Sequence, residues 1–103
     1  MLQDILHSII TGAAPPIQTL SGGLMLQYRH GGSDGPHKLL VYRRGSVPPS
    51  TLEYATVRRE LERVVAIEVA LSDDEINYTA SDGLSRRGRV FSWRPAATQP
   101  ALL

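Results

Sequence analysis

Between Ser85 and Arg94 the chain sets four arginines, Arg86, Arg87, Arg89 and Arg94, around a phenylalanine and its single tryptophan. Guanidinium forks bind phosphates and aromatic rings stack on bases, so this mixture is the chemistry of a nucleic-acid site. In an extended strand Arg87, Arg89, Phe91 and Trp93 share one face; Arg86, Gly88, Val90 and Ser92 share the other. Arg43 and Arg44 supply a second basic group. With both groups on one side of a sheet, Arg43, Arg44, Arg86, Arg87, Arg89 and Arg94 would contact phosphates. Phe91 and Trp93 would stack on bases, and Gly88 would admit a close backbone. The same alternation has a bland reading, in which Phe91 and Trp93 anchor the core and the arginines keep a strand end in water. With one Phe and one Trp, the domain has few other large rings for that core.

The stretch from His30 to His37, His-Gly-Gly-Ser-Asp-Gly-Pro-His, places two imidazoles and the Asp34 carboxylate close in sequence. All three are competent zinc or nickel ligands. A fourth ligand is not evident, and the composition is that of a solvated hairpin loop. The glycines match no P-loop and open no helix. Asp73-Asp74-Glu75 reads as a solvated turn, because three consecutive side chains point in different directions and do not converge on a metal. No Gly-x-Ser-x-Gly elbow exists. The absence of cysteine excludes disulfides, thiolate metal sites and cysteine nucleophiles. No catalytic residue, metal site, cofactor or small-molecule substrate is assigned, and the chain reads as a binder rather than an enzyme.

Charge is segregated although the net charge is only +1. Arg29, Lys38, Arg43 and Arg44 outweigh Asp34 in residues 29–44, and Arg86, Arg87, Arg89 and Arg94 outweigh Asp82 in the last quarter. The acids collect between them, from Glu53 to Glu75. Distribution rather than total charge therefore points to an anionic partner. With 42% hydrophobic and 20% charged residues over 103 positions, the chain has the composition of one globular domain. No signal peptide and no membrane-length apolar run is visible, which places the protein in the cytoplasm.

These residues need elements to position them. Leu2, Ile5, Leu6, Ile9 and Ile10 recur at helical spacing and predict a helix over residues 2–11, stopped by Gly12 and the following prolines. Residues 12–23 read as a connector. Leu24, Leu26 and Tyr28 alternate as a strand, as do residues 37–43, and the two should pair as a hairpin. Ser50 and Glu53 form a capping box after Pro48-Pro49, which predicts a helix to about Val65. Ile67, Val69 and Leu71 alternate as a third strand; Ile76, Tyr78 and Ala80 as a fourth after the acidic turn. Asp82-Gly83 then turns the chain into a last strand ending at Trp93.

The expected fold is a single small α+β domain of order α-β-β-α-β-β-β over residues 1–94. Its sheet is mostly antiparallel with helices on one face, and residues 95–103 form a flexible tail. β-Grasp and secretion-chaperone arrangements have related orders, but no motif supports either. Two functions follow. One is nucleic-acid binding through the basic, aromatic sheet face. The other is protein interaction or homodimerisation, as an adaptor or chaperone-like module. That module would use a sheet edge or the apolar first helix, with Leu2, Ile5, Leu6 and Ile9 as the interface.

Overall fold

The computed structural model describes residues 1–33, 35–43, 47–66, 72–79 and 85–94, with 72–79 and 85–86 described by their backbone alone. The elements are α1 (Leu2–Thr11), β1 (Ile17–Thr19), β2 (Leu24–Arg29), β3 (His37–Arg43), α2 (Thr51–Val65), β4 (Ser72–Thr79) and β5 (Ser85–Trp93), with one 3-10 turn over Ser21–Gly23. The strands lie in the order β1-β2-β3-β5-β4, every neighbouring pair antiparallel. The result is an α+β fold: two helices and four longer antiparallel strands, with the three-residue β1 added at one edge.

Local chemistry explains most boundaries. α1 ends where Gly12 takes a left-handed conformation, φ 81°, which glycine adopts without steric cost. At the start of α2 the Ser50 hydroxyl accepts from the Glu53 amide at 3.1 Å, and Glu53 Oε1 accepts from the Ser50 amide at 3.0 Å. The capping box is thus complete and satisfies two otherwise orphaned donors. β1 falls within the expected connector; it pairs Ile17 with Gln27 and Thr19 with Met25. The acidic run Asp73-Asp74-Glu75, expected as a turn, lies inside β4 instead. Charged residues are tolerated on an edge strand as they are not in a sheet centre. The strand expected over Ile67–Leu71, the Asp82-Gly83 turn and the tail lie outside the described residues.

Both helices cover one face of the sheet. Leu6 and Ile9 of α1 and Tyr54, Val57 and Leu61 of α2 are buried over Leu24, Leu26, Leu39, Val41 and Phe91. Leu2, Ile5 and Ile10 are partly buried against the same core. Of the alternative interface of Leu2, Ile5, Leu6 and Ile9, Leu6 and Ile9 are thus taken up by the chain's own core. The apolar stripe of α1 is satisfied within its own chain, because the connector is long enough to fold the helix back. On the other face Met25, Leu40 and Tyr42 are buried in a smaller group with Val90.

The central seam is β3 against β5. Tyr42 pairs with Gly88 there, and a Cβ on Gly88 would sit 2.6 Å from the Val41 carbonyl oxygen and 2.9 Å from Tyr42 Cβ. The close backbone that Gly88 admits is β3 of its own chain. No helix among the described residues is long and apolar enough to cross a membrane.

Candidate functional site

β5 does place Arg87, Arg89, Phe91 and Trp93 on one face, by its register with β3. That face is the one under the helices. Phe91 is fully buried and Trp93 is 4% exposed, so neither offers a ring to a base. Burying such side chains is worth about 1.5–3 kcal/mol each, which explains why the only large ring pair of the strand is core. The stacking role expected for them is corrected accordingly.

Two of the arginines from the same face grip α2. The Arg89 guanidinium lies 4.8 Å from the centre of the Tyr54 ring, a cation–π arrangement. Arg43 donates to Glu53 and to the Gly22 carbonyl, so it braces the capping box against the 3-10 turn. Arg87 and Arg94 are exposed. Arg44 and the Arg86 side chain lie outside the described residues. The expected phosphate contacts are therefore not gathered into one surface by the described residues.

The polar side chains the fold does bring together are at the other end of the sheet. His30 directly follows β2 and His37 begins β3, and their ring centres are 4.6 Å apart. Tyr28 stacks on Trp93 at 6.1 Å, and the His37 ring lies 5.9 Å from Trp93. The loop between the histidines closes because glycine occupies two crowded positions. A Cβ on Gly31 would meet the Pro36 carbonyl oxygen at 2.0 Å, and one on Gly35 would meet the Gly31 oxygen at 2.2 Å.

Hydrogen bonding decides which nitrogens carry protons. The Gly31 amide donates to His37 Nδ1 at 3.1 Å, and the Gly32 amide donates to His30 Nδ1 at 3.0 Å. A backbone N–H can only donate, so both Nδ1 atoms are acceptors and each neutral ring carries its proton on Nε2. The Tyr28 hydroxyl, 3.2 Å from His37 Nδ1, is then a second donor to that atom. No family model, curated protein or solved structure matches this chain.

That protonation pattern limits the chemistry. A metal or a proton donor needs a free imidazole lone pair, and in each ring the lone pair is engaged by an amide. While the amide bonds hold, the two rings present Nε2–H donors. Among the described residues no group of three metal-ligating side chains exists. Shallow depressions flank the pair. One is lined by Ile9, Ala14, Pro16, Tyr28 and His30, the other by Ile10, Tyr28, His37, Val64, Val65 and Trp93. Burial pushes the Tyr28 hydroxyl above its usual pKa and, with the nearby His30, holds His37 below the ordinary imidazole value. The sequence reading treated both histidines as the ends of a solvated loop. The signal was the alternation Tyr28-x-His30, which continues the buried face of β2 into the loop.

Proposed function

We propose that this chain is a small non-catalytic protein-binding domain that works as a homodimer joined along β4. The observation that carries this reading is the place of β4 in the sheet: an eight-residue strand at its edge, paired among the described strands with β5 alone. An edge strand of that length offers a row of unpaired N–H and C=O groups to another chain. The opposite edge is only the three-residue β1, too short for a firm ladder.

The sequence of β4 favours a second copy as the occupant. Two identical antiparallel strands related by a twofold axis place residues of like parity opposite each other. Centred on Glu75, the pairing sets that carboxylate against its own copy, which is destabilising. Centred on Ile76, Glu75 lies opposite Asn77, Asp74 opposite Tyr78 and Asp73 opposite Thr79. The acidic half of each strand then meets the uncharged half of the other. Sedimentation velocity tests this at micromolar concentration. Wild type should give a dimer mass. Ile76→Glu and Ile76→Lys each place like charges on the axis and should give folded monomers, and their equimolar mixture should recover the dimer. A wild-type monomer, or variants that stay dimeric alone, would overturn the reading.

A further inference from the structure

We propose that His30 and His37 form a proton-operated latch that holds the β2–β3 loop closed while both rings are neutral and releases it on acidification. The argument is independent of the dimer. A charged imidazole carries N–H on both nitrogens and cannot accept a hydrogen bond. Protonating His37 therefore breaks its bonds from the Gly31 amide and the Tyr28 hydroxyl, and protonating His30 breaks its bond from the Gly32 amide. With ring centres 4.6 Å apart, a proton on one ring disfavours a proton on the other, and His37, which holds both the Gly31 amide and the Tyr28 hydroxyl, is the ring whose protonation opens the latch.

The surroundings supply the two states. Around the closed pair stand Tyr28 from β2, Trp93 from β5, Ile10 from α1 and Val64 and Val65 from α2. No carboxylate lines either depression among the described residues, and Tyr28 is the one other titratable group there. The nearest cations in sequence, Arg29 and Lys38, pair with each other on the opposite face of the β2–β3 ladder, and Arg94 follows Trp93. Among the described residues lining the two depressions, no carboxylate compensates an imidazolium. The C-terminal turns of α1 and α2 line the same depressions, and their carbonyl ends attract a ring once it is charged and released from its amide. Gly31, Gly32 and Gly35 leave the loop little steric resistance to opening. The low proton affinity of His37 agrees with this arrangement, its chief cause being burial and its second His30.

Trp93, the only tryptophan, reports the state of the latch, since a charged imidazole beside an indole quenches its emission. The full-length chain is titrated from pH 8 to 4.5 by fluorescence, circular dichroism and amide NMR. Trp93 emission should fall with a midpoint below 6.5, the Gly31 and Gly32 amide resonances should move with the same midpoint, and the circular dichroism should not change. His37→Gln should abolish the transition, His30→Gln should raise its midpoint, and His7→Gln should leave it unaltered. A flat emission curve, stationary glycine amides, a transition that survives His37→Gln, or loss of secondary structure at the same midpoint would each overturn the latch.

Discussion

β3 carries a polar cluster at each end, and the two are built on opposite principles. At its last residue, Arg43 meets Glu53 and the Gly22 carbonyl, and Glu53 in turn closes the capping box on Ser50. Opposite charges and a helix start reinforce one another there. At its first residue, His37 is a neutral acceptor for an amide and a phenol, beside a second imidazole and with no carboxylate among the described residues that line the depressions. One end is strengthened by ionisation and the other requires its absence. Position in the sheet is equivalent, so the difference lies in the partners alone: a salt bridge fastens, whereas a pair of like titratable rings responds.

The strongest way to break this contrast is to remove Arg43. Arg43→Ala leaves the Glu53 carboxylate and the Gly22 carbonyl without their donor and should cost about 2 kcal/mol, the loss expected for hydrogen bonds to a charged group. Chemical denaturation reads this as a lower midpoint with an unchanged slope. Ser50→Ala removes one half of the box and should cost about 1 kcal/mol; an unchanged midpoint would mean that Arg43 alone holds Glu53. The smallest effect is the pH dependence, and it sharpens the contrast most. The Ser50 amide first, then Arg43, hold Glu53 below its ordinary value of 4.5. Its contribution is full above that value and fades as pH falls through the folded-state pKa. His37 is likewise lower in the folded state than its ordinary 6.5, so its contribution is full above pH 6.5 and fades as pH falls below it. Stability measured against pH should therefore decline in two separate windows. His37→Gln should erase the upper one only, and Arg43→Ala should weaken the lower one only.

Much of the scaffold was legible because it rests on short-range chemistry. The spacing of Leu2 to Ile10 and the Ser50/Glu53 box placed both helices to within a residue, and the alternation of Leu24 to Tyr28 placed β2. What alternation could not reveal was which face of a strand meets the helices. Arg89 and Phe91 were grouped correctly, but only the ladder between β3 and β5 puts that face inside, where Tyr54 receives the guanidinium. Only the second half of β4 was legible, from the alternation of Ile76 and Tyr78; Asp73-Asp74-Glu75 disfavours a strand by propensity, and the place of β4 at the sheet edge makes that run acceptable. The two histidines were visible as residues, and Tyr28-x-His30 carried a periodic trace, but their approach was not legible because it depends on Gly31 meeting Pro36 across a loop, a tertiary contact.

Gly88 has a consequence in time as well as in space. The β2–β3 and β4–β5 ladders join strands adjacent in the chain, contacts that form within microseconds. The β3–β5 ladder joins strands that are not, with α2 and β4 intervening. The entropy of closing that long loop must be met before the ladder returns any stabilisation. The two hairpins are therefore early, and the line along which Gly88 lets them touch is where the halves of the domain recognise each other late in folding.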